Sequence, residues 1–449
     1  LGALAVAAAI LARRPAWLPL AVLVAAPFRP PITVDASAGF PIALAEGGQL
    51  GRLLPLYFVL AAGALALVWR ALRPDRGRGA VRALPRAVSL PAAAFIGFAC
   101  LSTLWAEDPE PAVQLLTYFT LPFVLILALV ARSPFPEWLP RTLARFGVGL
   151  AVVFAAVGLW QAATRELFFF APNLEVSNAN SGYFRVTSLF GDPSLYGRHV
   201  VLGIGILLVA LALRRMNVRL GVALIVLLWA GLFFSYSQSS MVALVATTLA
   251  VSAATGGRRV RRAVIGGLAL VMLLGAGFLA SIEVRGDSLR RETSDRTQRV
   301  EDTARVIEEH PLMGVGLGGQ PRASRRLSGR DRPTPNFASH TAPLTVAAEL
   351  GVVGLLLYAW LIVGGARMLA ASSRVAPGLG LGLGAAFLAL FVHALFYSGF
   401  LEDPITWLVL AVGAGHLTWP HRDDGTLRSG AAAGADDPAR GRPAAAGAP

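Results

Sequence analysis

Two arginines of this 449-residue chain stand where they could do chemistry on an anion. Arg185 lies shortly before an apolar segment, and Arg296 opens an amphipathic helical pattern that stops at Pro311. A guanidinium group can hold a phosphate through two parallel hydrogen bonds. An arginine at a membrane surface can equally be an interfacial anchor, with its stem in lipid and its charge in water. Both interpretations stay open from these residues alone.

A histidine and a glutamate form a further pair of candidates. His340 is followed nine residues later by Glu349, which stands near the start of an apolar segment. A lone histidine at a membrane boundary is more often a hydrogen-bonded interfacial residue than a catalyst. A carboxylate at the start of an apolar helix is costly unless it is paired or faces water, so Glu349 indicates a polar contact there. His393 lies inside an apolar segment, where a hydrogen bond within the bundle is the expected role.

The glycine-rich run from Gly314 to Gly319 does not fit a nucleotide site. It follows no predicted strand, and the sequence Gly-Lys-Ser/Thr is missing from it. We interpret it as a Pro/Gly turn that ends the preceding amphipathic helix.

Membrane spans are the elements that must position these residues. The chain is 55% hydrophobic and 15% charged, whereas soluble domains carry about 25% charged residues. Its single cysteine excludes a disulfide framework and cysteine-based metal sites. The apolar runs predict an all-α, polytopic membrane helix bundle of about 12 (11–13) transmembrane helices. We place them near 1–12, 16–28, 52–69, 88–105, 113–131, 147–163, 199–213, 220–235, 239–255, 263–281, 343–368, 379–399 and 405–419.

The arginines between the spans predict the orientation. The gaps 70–87, 132–146, 214–219 and 256–262 are rich in arginine, whereas the alternate gaps near 106–112, 236–238 and 400–404 contain none. Basic loops stay in the cytoplasm, so the two long loops 164–198 and 282–342 face outward. Because the arginines of the cytoplasmic loops also account for the net charge of +14, we expect no nucleic-acid partner.

The chain divides into two predicted parts. Residues 1–419 form the transmembrane helical domain with its outer loops 164–198 and 282–342, of which the larger is partly helical. Residues 420–449 are rich in Ala, Gly and Pro. Such a composition cannot bury a core and predicts a disordered cytoplasmic tail.

The order and spacing of the candidates resemble the O-antigen ligase/polymerase family of membrane glycosyltransferases. In that pattern an arginine opens an amphipathic helix, and a proline follows fifteen residues later, then Gly-x-Gly. Farther on, a histidine is followed nine residues later by Glu-x-Gly-x-x-Gly. The matching residues here are Arg296, Pro311, Gly314, Gly316, His340, Glu349, Gly351 and Gly354.

An earlier arginine, Arg185, and the stretch Ser235-Tyr-Ser237-Gln238-Ser239 also match the pattern in part. The sequence departs from the pattern at Gln238, where Arg is usual, and at Val300, where Trp is common. Ser188 and Thr341 replace a common Gly and Asn.

The resemblance implies transfer of a glycan from a polyprenyl-diphosphate carrier to a hydroxyl of a lipid or glycan acceptor. It implies a multi-pass protein of the cytoplasmic (inner) membrane, in contact with membrane lipid, whose active site faces the periplasm or the cell exterior. Arg185 and Arg296 would stabilise the charge of the leaving diphosphate, and His340 would be the general base. Further substrate-binding residues would be Arg299, Arg198, Glu349 and Gly316. We predict no metal site and no cofactor, because the outer loops offer arginines rather than clustered Asp and His ligands.

Three alternatives remain. The first is an O-antigen or exopolysaccharide polymerase of the same family. A multi-span solute or ion transporter would suit His393 and the adjacent Glu402 and Asp403. A membrane scaffold is the third, and it leaves the arginine-rich outer loop unexplained.

Overall fold

A computed structural model describes residues 1–30, 53–73, 83–169, 172–263, 265–266, 296–328, 339–397 and 399–419 of the chain. Throughout these residues the regular secondary structure is helical. The helices are α1 (Gly2–Arg13), α2 (Leu18–Ala25), α3 (Leu54–Ala71), α4 (Arg86–Leu101), α5 (Pro109–Val130), α6 (Trp138–Thr164), α7 (Pro172–Ala179), α8 (Pro193–Ala212), α9 (Val218–Phe233), α10 (Gln238–Thr255), α11 (Arg296–Glu309), α12 (Gln320–Ser328), α13 (Ala342–Val375), α14 (Pro377–Ala394) and α15 (Pro404–Thr418). Helix α5 contains a π-helical turn at Leu116–Thr120.

The predicted membrane class is confirmed, and the chain is a multi-pass membrane protein. Eight helices in the described part are long and apolar enough to cross a membrane, or nine if α1 and the segment Pro15–Ala25, bent by 108° against each other, form one span. Two shorter apolar helices, α9 and α15, come in addition. The predicted span at 263–281 lies almost wholly outside the described residues, and the predicted tail at 420–449 lies outside them entirely.

Helix α15 is buried on every side. Each of its residues from Pro404 to His416 is buried, which explains why its sequence is apolar all round rather than along one stripe. The buried Trp407 donates a hydrogen bond from its indole Nε1 to the carbonyl of Leu401 at 2.7 Å. The helix therefore belongs to the centre of the bundle.

Helix α13 is 34 residues long and is broken at Gly351, where φ is 64° and ψ is −166°. A β-carbon at this position would collide with the carbonyl oxygen of Leu312. Glycine is needed both for the left-handed backbone and for the close approach. The break lets the N–H of Val352 bond to the carbonyl of Pro311 at 2.8 Å, so the glycine-rich run is attached to the helix.

Helices α11 and α12 cover the beginning of α13. A small apolar cluster of Val306, Val315, Ala323 and Ala348 joins them. Ion pairs attach α12 to the loop before α5: Arg326 lies 2.9 Å from Glu107, and Arg322 lies 3.5 Å from Asp108.

The predicted amphipathic helix in the loop 282–342 is confirmed as α11. It begins at Arg296 and ends at Glu309, two residues before the proline that was expected to stop it.

Candidate functional site

Arg185 lies in the segment between α7 and α8, and its backbone is held on both sides by Asn178. The N–H of Arg185 donates to Oδ1 of Asn178 at 2.9 Å, and the carbonyl of Arg185 accepts from Nδ2 at 3.1 Å. Its guanidinium Nε donates to the carbonyl of Ser235 at 3.3 Å. The side chain is half-buried. Because this bond uses only Nε, the two terminal amino groups remain for an anion.

The segment that receives this bond is a turn of buried serines between α9 and α10. Ser237 caps α10 by accepting a hydrogen bond from the N–H of Ser240 at 3.3 Å. Its hydroxyl also lies 3.1 Å from that of Ser239. These serines are at most 2% exposed. Their hydrogen bonds to one another hold the turn together. Gln238, which stands where the family pattern has an arginine, is exposed at the first turn of α10.

His393, near the end of α14, joins the serine turn to α8. Its Nε2 lies 3.1 Å from the hydroxyl of Ser239 and 3.2 Å from the carbonyl of Ser194. The expected hydrogen bond of this histidine within the bundle is confirmed. Its ring also lies 5.3 Å from the ring of Tyr397.

Tyr397 connects His393 to His340. The rings of Tyr397 and His340 lie 6.2 Å apart, and the phenol hydrogen-bonds to the carboxylate of Asp192. Burial raises the pKa of the Tyr397 phenol, and the negative charge of Asp192 raises it further. The phenol is therefore protonated at neutral pH and donates to Asp192, which also caps the start of α8.

His340 stands in a turn just before α13, with a left-handed φ of 54°. The hydroxyl of the preceding Ser339 holds this turn by accepting from the N–H of Thr341 at 3.2 Å and by donating to the carbonyl of Thr341 at 3.0 Å or to the hydroxyl of Thr345 at 2.6 Å. The imidazole is half-buried. It is thus presented at the edge of the bundle next to Tyr397.

A small polar cavity of about 160 Å³ has Tyr397 in its wall. On its wall, Arg198 and Asp403 form an ion pair at 2.8 Å, with side chains 8% and 2% exposed. The Nε of Arg198 is buried and has no hydrogen-bond partner among the described residues. Arg29 and Glu402 also line the cavity, so two cations and two acids meet here.

Arg29 is the less expected of the two cations. Burial lowers the pKa of Arg29, whereas the nearby Tyr57 and Asp403 raise it. An arginine stays charged in proteins even so, so Arg29 adds a second guanidinium to the cavity beside the Arg198–Asp403 pair.

Arg296 and Arg299 stand on the first turn of α11. The side chain of Arg296 lies outside what the structure describes, and that of Arg299 is half-buried. The buried face of this helix carries Gln298, Asp302 and Val306, and Arg299 borders it, three residues before Asp302 and seven before Val306. The described contacts join Arg185 to His340 by way of His393 and Tyr397, and Arg198 lines the same cavity as Tyr397. They do not extend to Arg296 or Arg299, whose place at the site stays a prediction.

Glu349 and Gly316 brace the backbone beside this network. The buried carboxylate of Glu349 accepts hydrogen bonds from the N–H groups of Gly318 and Gln320, at the beginning of α12. The N–H of Gly316 donates to the carbonyl of Glu349 at 2.8 Å, and its φ of 85° places it against Ala106. The polar contact expected for Glu349 is confirmed. The contacts of both residues are structural, and their predicted part in substrate binding remains a prediction.

Two residues of the network were not found from the sequence. Arg29 resembles the topological arginines around it, and Tyr397 follows a span as an ordinary interfacial aromatic would. In the sequence, a buried charge was indicated only by the hydrophobic segment before Arg29 and by the acidic pair Glu402 and Asp403 after Tyr397.

The described residues contain no group of three His, Cys, Asp or Glu side chains that could hold a metal ion. Arg29, Arg185 and Arg198 bring three guanidiniums to this end of the bundle, and the terminal amino groups of Arg185 are available to a ligand. Such a site suits a phosphate or diphosphate ligand.

Part of the chain matches a known protein family. Residues 222–359 match the family model described as O-antigen ligase, about a third of the chain. The matched part runs from α9 into α13 and contains the serine turn, α11, the glycine-rich run, His340 and Glu349. No curated protein sequence matches the chain.

Proposed function

We propose that this membrane protein, which carries an O-antigen ligase domain over residues 222–359, transfers a glycan from a polyprenyl-diphosphate carrier to an acceptor hydroxyl on the outer side of the cytoplasmic membrane. The observation that carries the proposal is the continuous set of contacts from Arg185 through the serine turn, His393 and Tyr397 to His340. Anion-binding and proton-accepting side chains, far apart in sequence, thus belong to one end of the bundle.

In this proposal the arginines stabilise the negative charge of the leaving group. In the reaction, the bond between the anomeric carbon and the diphosphate oxygen breaks, and negative charge develops on that oxygen. The two terminal amino groups of Arg185 offer a planar fork for it, and Arg296 would approach from the outer helix α11. Losing one preorganised charge contact of this kind typically costs about 2.7–4 kcal/mol of barrier.

In this proposal His340 activates the acceptor hydroxyl. A ring nitrogen of His340 takes the proton of the acceptor hydroxyl while that oxygen bonds to the anomeric carbon. The polyprenyl diphosphate then leaves as the second product. Tyr397 lies against the imidazole and, with its phenol anchored on Asp192, limits the orientations of the ring.

The topology proposed with this reaction has about 12 spans, if α9, α15 and the segment at 263–281 cross the membrane as well. The arginine-rich gaps face the cytoplasm and the site faces outward. A single cysteine at Ser181, introduced after replacement of Cys100, should react with an impermeant thiol reagent in intact cells. One at Gly257 should not, and the reverse pattern would contradict the proposal.

The direct test is transfer by the purified protein in liposomes that contain a polyprenyl-diphosphate-linked repeat unit. A ligase should release the carrier only after an acceptor glycolipid is added, and it should join the repeat to that acceptor. A polymerase, the second candidate within this family, should lengthen the donor without any added acceptor. Neither product in either condition would refute glycosyl transfer.

Two of the three residues that favoured a transporter, His393 and Asp403, are engaged in the fold. Asp403 pairs with Arg198, and His393 bonds to Ser239 and to the carbonyl of Ser194. The polar cavity beside them is small, at about 160 Å³. These contacts give no specific support to transport.

A further inference from the structure

A second, much larger cavity of about 970 Å³ lies between α2, α6, α8, α14 and α15. This volume is at the upper end of ordinary ligand pockets. The lining side chains are apolar, glycine or proline at all positions except four, and these four are Arg141, Arg145, His199 and Arg215. An apolar cavity of this size between membrane helices suits hydrocarbon chains rather than water.

The three arginines lie together at one end of the cavity. Arg141 and Arg145 stand one helical turn apart on α6, and Arg215 follows the end of α8. All three side chains are exposed, and none of them pairs with a carboxylate in the described part of the chain. This end therefore offers uncompensated positive charge at a membrane surface.

The other end of the cavity is lined by His199, which also lines the polar cavity beside Arg198. His199 stacks on the ring of Phe190 at 4.6 Å and meets the ring of Phe154 edge-on at 5.9 Å. Its Nδ1 lies 2.8 Å from the carbonyl of Leu195. His199 and Arg215 are sixteen residues apart, which corresponds to about 24 Å along a helix. The cavity thus extends through much of the roughly 30 Å hydrocarbon layer.

We propose that this cavity binds an anionic glycerophospholipid, with its acyl chains between the helices and its phosphate on Arg141, Arg145 and Arg215. Basic pockets between transmembrane helices are suited to such headgroups. The headgroup lies at the end of the bundle opposite to the candidate glycosyl-transfer site, in the leaflet that the arginine pattern assigns to the cytoplasm. The headgroup arginines are therefore separate from the residues that would hold the diphosphate of a glycan donor, because none of the three lines the polar cavity.

Two glycines make it possible to fill the cavity without disturbing its walls. Gly149 and Gly382 both line it, and a β-carbon added at either position meets no atom within 4 Å. Leucine at these positions should occupy the space of the acyl chains. Gly97 is the matched control, because it also has open space around its β-carbon and lies on α4, outside the cavity.

The experiment is native mass spectrometry of the purified full-length protein, titrated with dioleoyl-phosphatidylglycerol or dioleoyl-phosphatidylcholine. We expect retention of phosphatidylglycerol over phosphatidylcholine. The triple variant Arg141→Gln, Arg145→Gln, Arg215→Gln should bind phosphatidylglycerol about a hundredfold more weakly. The variants Gly149→Leu and Gly382→Leu should each bind it at least tenfold more weakly, and Gly97→Leu should bind it normally. Size-exclusion profiles and Tm of each variant identify any that misfold.

A second arginine triple separates the cavity from general surface charge. Arg258, Arg259 and Arg261 are exposed and do not line the cavity, so their replacement by glutamine should leave binding unchanged. Equal loss in the two triples, or normal binding in the two leucine variants, would overturn the proposal. Displacement of phosphatidylglycerol by undecaprenyl diphosphate would also overturn it, since the cavity would then belong to the glycan donor.

Discussion

Arg198 and Asp403 form an ion pair at 2.8 Å inside the bundle, between the first turns of α8 and the loop before α15. The two residues are 205 positions apart, so the pair connects the middle of the chain to its last apolar helix. It also fixes one wall of the polar cavity next to Tyr397. The pair therefore has a structural role in addition to the substrate-binding role predicted for Arg198, and the two are tested by measuring stability and activity separately.

The first prediction concerns the stability of this pair. Asp403→Asn leaves the Arg198 guanidinium buried without its counter-charge, and breaking a buried pair in this way typically costs about 3–5 kcal/mol. We expect a clearly lower Tm for the purified protein. Asp108→Asn is the control, because its partner Arg322 is 63% exposed and Asp108 is 30% exposed, and such surface pairs contribute at most about 1 kcal/mol. Equal Tm values for the two variants would contradict the structural role of the Arg198–Asp403 pair.

The second prediction concerns the guanidinium fork. Arg185→Lys and Arg296→Lys keep the positive charge but remove the planar pair of donors, so each should lose most of the transfer activity at normal protein levels. Arg185→Lys also loses the bond from Nε to Ser235, and its Tm must therefore be measured alongside.

The matched control is Arg165→Lys, an exposed arginine at the C-terminal end of α6 that belongs to no motif. It should retain normal activity. If Arg185→Lys and Arg296→Lys are also fully active, the two arginines are interfacial anchors and bind no diphosphate.

The third prediction concerns the general base. Because the φ of His340 is 54°, alanine at this position adds backbone strain, whereas asparagine tolerates the left-handed region. His340→Asn should therefore abolish turnover with little effect on donor binding or Tm. His310→Asn, a substitution outside the network, should retain activity. A His340→Asn enzyme with a normal kcat would exclude the histidine as the base.

The parts of this site differ in how far they can be predicted from sequence. Helix α11 was predictable because its periodic pattern and Pro311 are local signals. The contact of Arg185 with Ser235 joins two loops that are 50 residues apart, and no periodicity reports such a contact. Tyr397 and Arg29 have the types that membrane boundaries commonly carry. Their burial depends on how α2, α8 and the loop before α15 pack, which is a property of the tertiary structure.

The fourth prediction concerns divalent ions. If arginines neutralise the leaving diphosphate, transfer by the purified protein should persist after treatment with EDTA. The measurement is the initial rate in liposomes before and after chelation, with addition of Mg²⁺ or Mn²⁺ as the converse condition. Loss of activity with EDTA and its recovery with either ion would refute the proposal that arginines alone neutralise the leaving diphosphate.

The last prediction concerns the break in α13. Gly351→Ala places a β-carbon against the carbonyl of Leu312 and forces alanine into a left-handed backbone, which by itself costs about 1–2 kcal/mol. We expect a lower Tm and loss of transfer, because the attachment of the glycine-rich run to α13, and with it the place of α11 and Arg296, depends on this break. Gly384→Ala in α14 is the control: its β-carbon meets no atom within 4 Å, and alanine in a helix interior is favoured over glycine by about 0.5–1 kcal/mol. A Gly351→Ala protein with unchanged Tm and activity would show that α13 can continue through this position, and that α11 and α12 are held by other contacts.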